Sequence, residues 1–189
     1  MIKKINEIAE KIDAITPKNK KDLELKEKLL TAINEQKEFK SLIVHDQNIK
    51  RVDWDTSRFD KEREWVKILD KPLHRHLQDW CTHLKYEYFE IHEIWFQQYI
   101  KGGKHSWHTH GDNFTNVYYL DLPQNSSQTE WIGPVTRNIH KFDVAEGDII
   151  TFPSWLIHRG PVNLSTQTKT IISWNMAVSI SDLYGENNG

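Results

Sequence analysis

With one cysteine, Cys81, in 189 residues, no internal disulfide can staple the chain, and that usage fits a reducing compartment. Charge of one sign is also missing. The 25 Lys and Arg against 27 Asp and Glu leave a formal net charge of -2, which removes the electrostatic case for nucleic acid or an anionic membrane as partner. No apolar run approaches the roughly 20 residues of a membrane span, and Met1-Ile2-Lys3-Lys4-Ile5-Asn6-Glu7 lacks a signal peptide's apolar stretch. The expected location is therefore cytoplasmic. What the chain has in quantity is histidine, ten residues, and tryptophan, eight. The length suits one domain with a helical extension and a substantial core, and most of the tryptophans are expected in that core.

Ile2, Ile5, Ile8, Ile12 and Ile15 recur at helical spacing, and Thr16-Pro17 offers a cap and a first-turn proline for a second helix that carries Leu23, Leu29, Leu30 and Ile33 to about Phe39. Such amphipathic helices can pack on the rest of the chain or join two copies as a homodimer. The stretch from Ser41 to Asp60 has no clear period. Phe59, Trp65, Val66 and Leu69 predict a helix stopped near Pro72, and Leu73 to Lys85 predicts another. From Tyr86 the period changes to two, through Tyr88, Glu90, His92, Ile94, Phe96 and Gln98. Lys101-Gly102-Gly103-Lys104 reads as a hairpin turn. Further strands are expected at Phe114 to Leu122, Glu130 to Ile132, Ile139 to Val144, Asp148 to Phe152 and Lys169 to Val178. Many short strands after a helical start indicate an α+β, mainly β fold: a jelly-roll or cupin-like antiparallel barrel over residues 86–180, an N-terminal helical extension over 1–85 and a tail at 181–189.

The densest chemistry lies in Gly102-Gly103-Lys104-His105-Ser106-Trp107-His108-Thr109-His110-Gly111-Asp112. On an extended strand, side chains two apart share a face, so His108 can converge with His110, and His110 with Asp112. His158, at the end of Gly147 through Pro153 to His158, is the candidate distant partner. Two histidines with a carboxylate, or three histidines, leave open positions on a metal for substrate and dioxygen. With ten histidines, roughly one half of a His-x-His pair is expected by chance. His74-Arg75-His76 is such a pair, but it lies in the helical stripe of Leu73, Leu77, Trp80, Cys81 and Leu84, where residues two apart diverge. His105 is expected in a supporting or surface position.

These residues resemble the Fe(II)/2-oxoglutarate-dependent oxygenases, in particular the prolyl-hydroxylase-like enzymes, over roughly Ile94 to Met176. Tyr99-Ile100-Lys101-Gly102-Gly103 followed by His108 is similar to their Tyr-x-x-Gly...His-x-Asp opening. Thr115-Asn116-Val117-Tyr118-Tyr119-Leu120 is similar to the strand that follows, and Gly147 through Pro153 to His158 to the turn that delivers the distal histidine. Lys169, eleven residues after His158, stands where that family places the Arg or Lys for the C5 carboxylate of 2-oxoglutarate. Lys169-Thr170-Ile171-Ile172-Ser173-Trp174-Asn175 matches the last strand of a little-characterised 2-oxoglutarate oxygenase branch. The resemblance implies a double-stranded β-helix that holds Fe(II) through His108 and His158, with His110 or Asp112 as third ligand. That branch also carries His-x-His here, whereas a shift of two residues gives the standard His110-Gly111-Asp112.

It further implies that Tyr119, Lys169, Ser173 and Asn175 bind 2-oxoglutarate. Dioxygen would then convert 2-oxoglutarate to succinate and CO2 while a C-H bond of a small molecule or protein side chain is hydroxylated. Two other readings suit the same histidines: a three-histidine cupin enzyme that uses no 2-oxoglutarate, and a non-catalytic cupin-like metal-binding protein. The loop at Gln124 and Asn125 and the Trp155-Leu156 lip are expected at the entrance, with Trp107, Trp155 and Trp174 as candidates for the pocket wall.

Overall fold

The computed structural model describes residues 20–36, 49–54 and 62–179. The predicted helix from Ile2 to Ile15, the Thr16-Pro17 cap, Phe39, Phe59 and the tail lie outside them. Helix α1 spans Lys20–Glu35 and is built from Leu, Lys, Glu and Ala, all good helix formers. Leu29 and Ile33, one turn apart, are its fully buried face. Strand β1, Ile49–Val52, falls in the stretch that showed no period. Helix α2 spans Glu64–Leu84 without a break at Pro72. The predicted division into two helices is corrected by packing: Trp65, Leu69, Leu73, Leu77 and Cys81 recur every four residues and are all buried. That continuous stripe outweighs the one hydrogen bond that the proline removes. The helix ends on Lys85 in the left-handed region (φ 63), with Tyr86 N–H donating to the Cys81 carbonyl at 2.9 Å, a helix-ending geometry that satisfies a terminal carbonyl.

Eight further strands follow: β2 Tyr88–Tyr99, β3 His105–His108, β4 Phe114–Asp121, β5 Glu130–Ile132, β6 Ile139–Lys141, β7 Ile149–Pro153, β8 His158–Gly160 and β9 Lys169–Ser179. They form two antiparallel sheets, a major one ordered β1-β2-β9-β4-β7 and a minor one ordered β3-β8-β5-β6. Gly102, at φ 84, makes the predicted turn between β2 and β3, a conformation glycine adopts without strain. Gly103 N–H closes it on the Ile100 carbonyl at 2.9 Å.

Strand alternation sends the two faces of the major sheet to different places. On β9, Ile172, Trp174 and Met176 join Ile94, Phe96 and Leu120 against Leu29, Ile33 and the buried side of α2. Ile171 joins Trp95, Tyr99, Val117, Tyr119, Ile150 and Phe152 in a second cluster, with Phe142, Val144 and Leu156 from the other side of the gap between the sheets. Because both faces are covered, β9 is buried from Lys169 through Met176. A buried ion pair of Arg63 and Asp53 clamps the start of α2 to the sheet. Asp53 also accepts from Trp65 Nε1 at 3.1 Å and from Phe96 N at 2.7 Å, and Arg63 Nη2 donates to the Ile94 carbonyl at 2.9 Å. Among the described residues no helix is long and apolar enough to cross a membrane.

Candidate active site

Strands β3 and β8 pair antiparallel with His108 directly opposite His158, and opposed side chains on neighbouring strands share a face. Their ring centroids are 4.2 Å apart. His110 lies two residues past the end of β3, where its N–H donates to the Ser154 carbonyl at 2.9 Å. That contact turns the chain so that its ring stands 4.9 Å from His108 and 5.2 Å from His158. One ligand atom from each of His108, His110 and His158 lies within 4.8 Å of the others. Convergence therefore comes from strand pairing and a loop contact rather than from one continuous strand.

The ring nitrogens are already sorted by their partners. His108 Nδ1 faces the Ser106 carbonyl at 2.6 Å and His158 Nδ1 faces the Leu156 carbonyl at 2.8 Å. Carbonyl oxygen only accepts, so both Nδ1 atoms carry the proton and Nε2 keeps its lone pair. Burial lowers the pKa of His108. It brings His110 down to about 4 and His158 to about 3, with neighbouring imidazoles adding to the effect. All three are neutral at physiological pH, as metal ligation requires. His105 stacks on His108 at 3.9 Å and lies 5.3 Å from Trp54; burial brings it to about 3.

Asp112 is placed elsewhere. Its Oδ1 is 2.7 Å from His92 Nδ1, and it is not among the converging ligand atoms. His74 sits on α2 with Nδ1 3.0 Å from the Asp70 carbonyl.

At the other end of the same pocket lies Lys169, only 2 % exposed. Its Nζ donates to the Ser127 carbonyl at 2.6 Å and stands over the rings of Tyr99 and Tyr119 at 5.2 and 5.6 Å. No described carboxylate forms an ion pair with it, and burial pulls its pKa from 10.5 to about 7. Tyr119 donates to Thr129 Oγ1 at 2.7 Å and accepts from Thr129 N–H at 3.0 Å; burial pushes its hydroxyl up to about 12. Ser173 lines the pocket between the lysine and the histidines. Asn175 lies at the histidine end, its Nδ2 3.3 Å from His110 Nδ1. The loop after β4 closes the lysine end through Ser127, Trp107 stacks under Arg159 at 4.4 Å, Trp155 is 52 % exposed and Trp174 packs in the helix-side core.

Sequence reasoning passed over Trp95 and Gln97 and gave Tyr99 no place in the pocket, yet all three line it from β2. Their alternation was visible, but nothing in it distinguishes a wall of the pocket from a wall of the core. The donor set fits a divalent metal with a dicarboxylate: three neutral imidazoles, a buried lysine with no carboxylate partner among the described residues, and Trp95 Nε1, a buried donor without a partner among them. Free space among these groups is about 30 Å³, enough for a water or two, so a five-carbon diacid would need the side chains to draw back. A larger groove of about 740 Å³ runs between α2 and the first half of β2.

No family model matches the sequence, and no curated protein matches it. Solved structures do match. A prolyl-4-hydroxylase from Pseudomonas putida superposes with a TM-score of 0.61 at 15% identity, covering 94% of this chain and 99% of that one. A prolyl hydroxylase from Trichoplax adhaerens, in complex with a peptide fragment of hypoxia inducible factor, gives 0.58 at 14% identity over 98% and 93%. A viral collagen prolyl hydroxylase from Paramecium Bursaria Chlorella virus-1, in a 2-oxoglutarate complex, gives 0.53 at 21% identity over 83% and 91%. The fold is thus that of the prolyl hydroxylases. This bears out, at the level of fold, the resemblance to 2-oxoglutarate oxygenases of the prolyl-hydroxylase-like branch.

Proposed function

We propose that the protein is a non-haem Fe(II)- and 2-oxoglutarate-dependent dioxygenase that hydroxylates a C-H bond of a small molecule or a protein side chain, releasing succinate and CO2. The observation that carries this reading is the pairing in one pocket of three neutral histidines with a buried lysine that has no carboxylate partner among the described residues. The two facing antiparallel sheets are then the halves of a double-stranded β-helix. His108, His110 and His158 hold the iron, and Asp112 stays outside, with His92. Lys169 takes the far carboxylate of 2-oxoglutarate, which restores the charge that burial suppresses. Tyr119, locked to Thr129, shapes that end, and Ser173 lies along the diacid. Asn175 serves the histidine end. Bound iron and 2-oxoglutarate supply dioxygen activation; the protein's part is to bind, orient and exclude water. A peptide in one neighbour makes a protein side chain a reasonable substrate class.

The test is succinate formation. Protein supplied with Fe(II), 2-oxoglutarate and air should release succinate slowly even without substrate, and His108→Ala and Lys169→Ala should abolish it. The convergence of three histidines, with no carboxylate beside them among the described residues, favours a second reading, a three-histidine cupin enzyme that does not use 2-oxoglutarate. Bound metal with intact 2-oxoglutarate would select it.

A further inference from the structure

A metal held by three imidazoles receives no negative charge from its protein ligands, unlike one held by two histidines and a carboxylate. The major sheet supplies a carboxylate one step further out. Glu93 on β2 pairs with Asn175 on β9, and Asn175 with Thr115 on β4, so the three form one row across adjacent strands. Register shifts between Ile91 and Glu93: Ile91 packs with the helix-side core, while Glu93 comes round to Asn175, the kind of re-aiming a bulge achieves.

Contacts along the row fix every atom. Asn175 Nδ2 donates to Glu93 Oε2 at 2.8 Å, and Thr115 Oγ1 donates to Asn175 Oδ1 at 3.1 Å. Ser154 Oγ lies 2.9 Å from the same threonine. A carboxylate only accepts, so the amide nitrogen must face Glu93, and that nitrogen borders His110, 3.3 Å from Nδ1, as a neighbour and not as an acceptor. His110 is further held by Trp95, stacked at 5.9 Å. Asn175 between them is 2 % exposed, while Glu93 itself is half-buried, so water screens the pair only from the Glu93 side.

We propose that Glu93 is a charge-compensating carboxylate of this metal site, kept outside the coordination sphere and separated from His110 by the Asn175 amide. It acts as a positioning residue: it fixes the amide that borders His110 and offsets the charge of the bound cation. The inference rests on the proposed metal site.

The test is titration of the protein with Mn(II) and Co(II) in the absence of 2-oxoglutarate. Glu93→Gln keeps the shape and an oxygen for Asn175, and should weaken affinity 10- to 100-fold, the usual range for a lost outer partner, without changing the shape of the Co(II) absorption bands or the metal-free melting temperature. Glu93→Asp, which keeps the charge, should lose less. Glu90→Gln, on the same strand with its side chain 58% exposed, should match the wild type. Equal affinity of wild type and Glu93→Gln would overturn the inference and leave the metal site standing. An altered Co(II) spectrum would also overturn it, by making Glu93 a direct ligand, as would equal losses in both Glu93 variants with a drop in melting temperature. If the wild type binds neither ion, the metal site falls and the inference with it.

Discussion

Replacing Lys169 with methionine should stabilise the protein at low pH while weakening its response to 2-oxoglutarate. The fall of the lysine pKa from 10.5 to about 7 on burial corresponds to about 5 kcal/mol at about 1.4 kcal/mol per pH unit. That is the penalty for keeping a charged ammonium in this pocket. Methionine removes it but leaves the Ser127 carbonyl without its donor, which costs about 1–3 kcal/mol. The net gain at pH 6 is about 3 kcal/mol, or about 6–12 °C in melting temperature for a chain of this size.

The unfolded chain keeps the proton that the folded state releases, so folding grows more favourable as pH rises through that interval. The penalty is fully present below about pH 7 and fades by about 10.5. At pH 10 the wild-type amine is largely neutral and still donates to Ser127, so the variant should have lost its advantage there and become slightly the less stable of the two. Other titrating groups cancel between the two proteins. Thermal melts across pH 6 to 10, with and without Mn(II) and 2-oxoglutarate, read both effects. A variant that is less stable than wild type at pH 6, or a gap that does not change with pH, would refute the argument that the lysine is buried without an anion.

Alanine at His108 or His158 should remove the stabilisation by Mn(II) or Co(II), which is worth about 2.7 kcal/mol when the metal is at 100 times its dissociation constant; melting curves with and without metal check this. Arg63→Met removes the cationic partner of the buried Asp53 carboxylate and should cost about 3–5 kcal/mol in chemical denaturation, with Asp53→Asn/Arg63→Met recovering part of it. Pro72→Ala restores an amide donor inside α2 and should stabilise by about 1–3 kcal/mol; a loss of stability would mean that the proline ring itself packs in place.

Much of the strand layout was legible because the signals are local. Period two marks β2, glycines mark its turn, and Glu130–Ile132 and Lys169–Ser179 fall where alternation and turn residues place them. Pro72 misled because a local rule met a tertiary one: the five-residue buried stripe of α2 spans it. β1 is four residues long and is defined only by pairing with Gln97, Gln98 and Tyr99, a partnership the sequence does not display. At the candidate site, the approach of His108 to His158 follows from strand context. That His110 and not Asp112 joins them depends on the loop after β3, where a backbone contact to Ser154 aims one residue inward and His92 draws the other away. Glu93 could not be read at all, since a bulge decides which face it takes.

The most direct measurement is an anaerobic Fe(II) titration followed by visible absorption, with and without 2-oxoglutarate. The proposed chemistry predicts a weak charge-transfer band that needs both metal and 2-oxoglutarate, is lost in His158→Ala and fades in Lys169→Met. Tight Fe(II) binding with a spectrum indifferent to 2-oxoglutarate would contradict it.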